Sequence, residues 1–220
     1  MRTHSITHNT RWNLRDAVAH LRECDLRLAE IIARCGPPKL RREPDAWRAL
    51  SSSIIGQQVS VHAARAIRNR FAALVENKDF PSPADVLILP DETLRGAGLS
   101  ANKTLSLRDL ARHFEDGKIS ARKLNKLSDE DVIQTLIPVR GIGRWTAEMF
   151  LLFSMRRPDV WAIDDLGLQN AVRKIYELPD LSSTQLKTQM LEIALPWRPY
   201  RSLASWYLWR SLDNEPKVGK

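Results

Sequence analysis

Cysteine is nearly missing from this chain: its 220 residues include two, Cys24 and Cys35. There is no CxxC pair and no Cys/His cluster, so neither a zinc site nor a four-cysteine iron–sulfur site can be assembled. No secretion signal accompanies the two thiols, which reads them as reduced; a bridge between them is the alternative. Long apolar runs are missing as well. None approaches the ~20 residues needed to span a bilayer, and Met1–His8 contains no apolar signal core. The expectation is a soluble, intracellular protein with no membrane partner. Sustained apolar/polar alternation with hairpin turns is also absent, which leaves little room for β structure. No repeat and no low-complexity stretch appears.

What is present is apolar residue enough for a sizeable core, 43%. The length suits one domain or two small lobes around a shared core. No linker marks a boundary between independent domains, so residues 1–220 are read as a single unit. Lys and Arg number 34 against 26 for Asp and Glu, a net charge of +8, which favours a polyanionic partner without identifying one.

Apolar spacing predicts helices nearly throughout. Asn13–Cys35 reads as one helix stopped by Gly36-Pro37-Pro38. Asp45–Leu74 is one long helix or two, interrupted near Gly56. Ser82-Pro83-Ala84-Asp85 is a capped start. Asp91 opens a short helix ending at Gly96-Ala97-Gly98, and Leu99–His113 follows. Ser128 and Asp131 resemble a capping box for a helix over Asp131–Ile137. Arg144–Arg156, Leu166–Tyr176, Thr184–Leu195 and Arg201–Leu212 complete an all-α chain, and the polar tails, about 1–10 and 213–220, are expected to be mobile.

The most informative segment is Ile137-Pro138-Val139-Arg140-Gly141-Ile142-Gly143-Arg144-Trp145-Thr146-Ala147. One helix ends, two glycines make a tight turn, and a second helix begins at once. Gly141 and Gly143 remove side chains where another backbone must approach. The first N–H groups of the new helix point outward, and its dipole favours an anion there, such as a phosphate. Ile142 is expected to turn inward and pin the turn to the core. A plain helical corner with a glycine stop is the other reading. Further on, Asp164 and Asp165 stand where the next helix starts. Adjacent side chains diverge, so the two are no acid/base dyad, and either suits an N-cap.

The glycine string resembles the helix-hairpin-helix of the HhH-GPD superfamily of DNA glycosylases, where the usual form is Leu-Pro-Gly-Ile-Gly. Arg140 replaces the proline, loosening the turn but adding a cation. Pro196-Trp197-Arg198 with Trp206-Tyr207 resembles the C-terminal segment of the DNA-3-methyladenine glycosylase II (AlkA-type) branch, and Gly98-Leu99-Ser100 with Lys103 matches another family string. The resemblance covers about residues 40–210, with the helix-hairpin-helix at about 131–156. The longest relatives carry an additional N-terminal α/β region, expected here to be missing or replaced by one helix.

The resemblance implies a two-lobed all-α fold with a cleft between the lobes, and duplex DNA containing damaged bases as the partner of a monomeric enzyme. The location is then cytoplasmic at the nucleoid in a bacterium or nuclear in a eukaryote. Asp165 becomes the catalytic carboxylate, stabilising positive charge on the sugar and activating water, with Asp164 as the flanking cap. Trp145 stands where strand-nicking relatives carry the Schiff-base lysine, which implies a monofunctional hydrolase. Trp206, Trp145 and Met149 are assigned to the base pocket, although most tryptophans, seven in this chain, are simply core. An indole face suits a cationic alkylated purine, so substrates of the 3-methyladenine and 7-methylguanine type are expected, with ethenoadenine a further candidate. Gln58 is the wedge that fills the gap left by the flipped nucleotide and Gln57 orders its loop, or the pair merely caps a surface helix. Gly141, Gly143, Arg144, Thr146 and Arg140 are assigned to DNA. No cofactor is expected for the chemistry, but the carbonyls of Ile137, Val139 and Ile142 are expected to hold a structural monovalent or alkaline-earth cation. The alternatives are a glycosylase for oxidised or mismatched bases and a non-catalytic DNA-binding module.

Overall fold

The computed structural model describes residues 12–40, 43–76 and 79–213. The expectation for the polar tails falls outside them, at 1–10 and 214–220. Thirteen α-helices and one π-helical turn, with no strand, occur among the described residues. None of these helices is long and apolar enough to cross a membrane. Although the sequence shows no linker, the contacts group the chain into two compact units, Arg42–Met155 and Met1–Arg41 with Arg156–Lys220.

The Arg42–Met155 unit holds α3 (Ala46–Gly56), α4 (Val61–Ala72), α5 (Pro83–Ile88), α6 (Asp91–Gly96), α7 (Ala101–Glu115), α8 (Ala121–Leu124), α9 (Asp129–Leu136) and α10 (Arg144–Met149). The predicted interruption near Gly56 separates α3 from α4. The one-turn α8 was not foreseen. Helix α7 is the centre, touching α3, α5 and α6. Leu50, Ile54 and Ile55 of α3 and Leu107 and Leu110 of α7 are fully buried, each worth ~1.5–3 kcal/mol of apolar transfer. Arg108 satisfies the end of α5: its guanidinium donates to the carbonyls of Val86, Leu87 and Leu89, and to Asp91. Ser82 and Asp85 form a reciprocal capping box on α5. The box expected at Ser128 is half formed. Asp131 N–H donates to Ser128 Oγ, but the Asp131 carboxylate takes the Ser128 hydroxyl, and α9 begins at Asp129.

Arg144–Arg156 is not one regular helix. After Met149 the chain widens into a π-helical turn, Phe150–Ser154, with Met155 N–H donating to the Phe150 carbonyl. The wider turn brings Ser154 Oγ to the carbonyl of Glu43 at 2.6 Å, and Arg156, at φ 55°, ends it.

The other unit holds α1 (Leu14–Cys24), α2 (Leu26–Cys35), α11 (Leu166–Ile175), α12 (Ser183–Ala194) and α13 (Arg201–Asp213). The single helix expected over Asn13–Cys35 is broken at Asp25, which closes α1 and caps α2 by accepting Leu28 N–H at 3.0 Å. Its second oxygen accepts the Tyr176 hydroxyl at 2.6 Å and the Trp197 indole at 2.9 Å. Burial, reinforced by that bond, pushes the Tyr176 phenol far above its ordinary value, so it stays a donor. Trp197 is fully buried and meets Trp161 edge to face. Cys24 and Cys35 are not joined in a disulfide. Helix α13 packs on α2 and α11. Its start is tied down by Ser202, which donates to the Arg157 carbonyl and accepts Val160 N–H, and by Arg201, which clasps Asp159.

Candidate functional site

The candidate residues fall into two groups, one in each unit. In the Arg42–Met155 unit, α9, the turn at 137–143 and α10 form the expected helix-hairpin-helix. Val139 and Ile142 are buried, so the turn is pinned to the core as its pattern predicts. Ile142 N–H donates to the Val139 carbonyl at 3.0 Å. Gly141 has φ +79°, and a Cβ there would stand 2.7 Å from Ser106 Oγ. Gly143 differs: its φ is −93° and a Cβ would meet nothing within 4 Å. Nothing inside the unit requires glycine at 143. It is the N-cap of α10 and supplies no side-chain cap to the first turn of that helix.

The cations beside the turn are already engaged. Arg140 donates its N–H to Asp109 at 2.8 Å and its guanidinium to Asn102 at 3.2 Å. Arg144 is gripped by both oxygens of Glu130, at 3.0 and 2.7 Å, and by Glu148 at 3.2 Å. Hydrogen bonds from Arg144 and then Gln134 hold the Glu130 carboxyl down at about 2. Thr146 is buried, so its main-chain N–H is what it can offer. Trp145 is exposed over 44% of its surface and Met149 is half-buried.

The glutamine pair sits beside this hairpin. Gln57 caps α3, and its amide donates to the Gly141 carbonyl at 2.8 Å. Gln58 is exposed at φ 55°, followed by exposed Val59 and Val61. Lys103, which closes the family-like string begun at Gly98, donates to the Ile55 carbonyl at 2.8 Å, and burial lowers its ammonium below the ordinary lysine range. It therefore closes the end of α3 just before the two glutamines.

In the other unit, Asp165 is the N-cap of α11. The flanking cap expected of Asp164 is thus corrected: Asp164 pairs with Lys187 of α12 instead, and the two carboxylates diverge as adjacent residues must. Asp165 Oδ1 accepts Leu168 N–H at 2.7 Å and the Trp209 indole N–H at 2.8 Å. Asp165 N–H donates to the Ala162 carbonyl at 2.9 Å, and Gln169 braces the same bend through the Ile163 carbonyl. The carboxylate therefore projects from a bend held at several points. Trp206 is half-buried, edge-on to Tyr207 and beneath the Arg210 guanidinium. Sequence reasoning missed Trp209. Its only signal was the spacing of three from Trp206, which puts both indoles on neighbouring positions of one helix face.

A family model described as HhH-GPD superfamily base excision DNA repair protein matches residues 51–196. DNA-3-methyladenine glycosylase 1 of Schizosaccharomyces pombe is 34% identical over 186 residues, covering 84% of this chain and 80% of that protein. DNA-3-methyladenine glycosylase 2 of Escherichia coli is 28% identical over 180 residues, 78% of this chain and 60% of that one. A solved S. pombe 3-methyladenine DNA glycosylase in complex with abasic DNA superposes with a TM-score of 0.81 at 32% identity, covering 93% of this chain and 100% of that one. With its all-helical fold, its hairpin and a match over residues 51–196, the chain belongs to the HhH-GPD superfamily of base excision DNA repair proteins.

Proposed function

We propose that this protein is a monofunctional DNA-3-methyladenine glycosylase, acting as a monomer on alkylated purines in duplex DNA. The observation that carries the reading is Asp165, a carboxylate held at a helix N-cap by Leu168 and Trp209, in a chain 34% identical to a 3-methyladenine glycosylase. In the proposed reaction the N-glycosidic bond breaks and its electron pair leaves with the base. A 3-methyladenine or 7-methylguanine nucleotide already carries positive charge on the base, which departs neutral. The sugar's developing cation is stabilised by Asp165. Water forms the new bond to the anomeric carbon and gives its proton to the same carboxylate.

Trp145, in the place of a nucleophilic lysine, supports hydrolysis without strand nicking. Trp206, Trp145 and Met149 are the proposed base contacts, and Gln58 the wedge. Gly141, Gly143 and the first-turn N–H groups of α10 would take a backbone phosphate. A structural cation fits at the hairpin. The carbonyls of Ile137, which is the C-cap of α9, of Val139 and of Ile142 would hold it, and the negative end of α9 would favour its charge. Such an ion would contribute charge to phosphate binding and no chemistry.

The test is base release from duplexes carrying 3-methyladenine, 7-methylguanine, ethenoadenine or 8-oxoguanine. Release of the alkylated purines, with Asp165→Asn inactive yet still binding an abasic-site analogue, is the expected result. A preference for 8-oxoguanine, or a borohydride-trapped protein–DNA adduct, would overturn it.

A further inference from the structure

The indole of Trp209 has a position that packing alone does not explain. Its Nε1 lies 2.8 Å from Asp165 Oδ1, the oxygen that also accepts Leu168 N–H at 2.7 Å. Two donors on one oxygen define the carboxylate's plane more tightly than an N-cap does by itself, since a single N–H leaves rotation about the Cβ–Cγ bond open. The indole's approach depends on a missing side chain. Gly167 lies in the first turn of α11, and a Cβ there would stand 3.0 Å from Asp165 Oδ1 and 3.2 Å from both Cδ1 and Nε1 of Trp209. A side chain at 167 would therefore crowd the indole–carboxylate contact and push it aside by a few tenths of an ångström. The far end of the contact is anchored as well: α13 is fixed at its start through Ser202 and Arg201, so Trp209 is presented from a restrained helix.

We infer that Trp209 is a positioning residue for the reaction, orienting the Asp165 carboxylate through its indole N–H, and that glycine at 167 keeps the contact uncrowded. The inference rests on the proposed role of Asp165. Orientation of a group that stabilises transition-state charge acts on turnover more than on substrate binding, because misalignment is felt where the charge develops.

The experiment measures single-turnover base release from 3-methyladenine duplexes, with binding to an abasic-site analogue and thermal melting in parallel. Trp209→Phe keeps an aromatic ring and removes the donor; the rate is expected to fall ~10-fold or more, the equivalent of one hydrogen bond to a charged acceptor, with analogue binding within ~2-fold of the parent. Trp209→His places imidazole Nε2 where the indole nitrogen stood and is expected to recover much of the rate. Gly167→Ala is expected to slow release too, and its cost is expected to shrink in the Trp209→Phe background, because the two changes disturb one contact. The Trp209 indole N–H resonance, assigned by its loss in Trp209→Phe, is expected to shift in Asp165→Asn. A Trp209→Phe rate within ~2-fold of the parent, or a His variant no better than the Phe variant at equal thermal stability, would overturn the inference. Asp165→Asn separates the layers: if it stays active the catalytic reading itself falls, whereas an inactive Asp165→Asn beside a fully active Trp209→Phe refutes only the role of Trp209.

Discussion

The side-chain amide of Gln57 donates to the main-chain carbonyl of Gly141 at 2.8 Å, so the turn after α3 and the glycine hairpin are held together across 84 residues of sequence. Gln57 precedes Gln58, which stands exposed at φ 55°. The bond sets the position of the proposed wedge relative to the proposed phosphate site within the same unit. Gln57→Ala is expected to cost ~1 kcal/mol of stability and to weaken binding to abasic-analogue DNA by up to ~5-fold. Gln57→Glu, which turns an acceptor towards an acceptor, is expected to do worse. Melting curves and binding titrations of both variants check this. A Gln57→Ala protein matching the parent in both would refute the coupling.

The two hairpin glycines are expected to respond differently to the same substitution. Gly141→Ala combines a φ of +79° with a Cβ 2.7 Å from Ser106 Oγ, and is expected to lose ~1–3 kcal/mol. Gly143→Ala meets no internal neighbour within 4 Å at an ordinary φ, so its stability is expected to stay within ~0.5 kcal/mol of the parent. Its loss is expected in DNA affinity, where a methyl group would intrude on an approaching backbone. Equal destabilisation of the two variants in urea would contradict this division.

Local signals made most of the fold readable and distant partners made the rest unreadable. Gly-Ile-Gly between two apolar stretches announced the hairpin because turn, core anchor and helix start are all encoded within a few residues. Ser82 announced its helix for the same reason. Asp25 did not announce a helix break, because what holds it there is Tyr176 and Trp197, more than 150 residues away. Trp209 was equally hidden: helix spacing places it beside Trp206, but its bond to Asp165 depends on how α13 packs on α11. The π-helical turn after Met149 leaves no pattern of its own, since Phe150–Phe153 is as apolar as an α-helical core face. Glu148, four residues on in the same helix, is within plain reach of Arg144, but Glu130 is not: Arg144 and Glu130 meet only once the hairpin folds.

That last ion pair carries a pH prediction. The Glu130 carboxyl is held at about 2 against an ordinary 4.5, through Arg144 and then Gln134. A depressed carboxyl stabilises the fold above its unfolded value and loses that contribution as pH falls through the folded one. The effect therefore lies between about pH 4.5 and 2, and it is small because both side chains are about half exposed. Glu130→Gln is expected to flatten the acid side of the melting-temperature profile in that window and to leave the profile above pH 6 nearly parallel to the parent's. Raising ionic strength is expected to reproduce part of the change. An unchanged acid slope in the variant would mean that the pair contributes nothing to folding.

Asp25 offers the sharpest stability test, because a single carboxylate serves a helix cap and two side chains packed around it. Leu28 N–H binds one oxygen at 3.0 Å, and Tyr176 and Trp197 bind the other at 2.6 and 2.9 Å. Removing one donor leaves the acceptor with two partners, so Tyr176→Phe is expected to cost only ~1 kcal/mol. Asp25→Asn keeps the shape but either turns an amide N–H towards two donors or turns it towards the Leu28 amide, at ~2–3 kcal/mol. Asp25→Ala leaves the tyrosine hydroxyl and the indole N–H without their acceptor and exposes the junction of α1 and α2, and is expected to cost the most. The order Ala, then Asn, then Tyr176→Phe is what urea titration at fixed pH measures. If Tyr176→Phe, which keeps the ring and loses only the hydroxyl, proved as damaging as Asp25→Ala, the single bond from the Tyr176 hydroxyl and not the carboxylate's full set of donors would be what ties α2 to the end of α11.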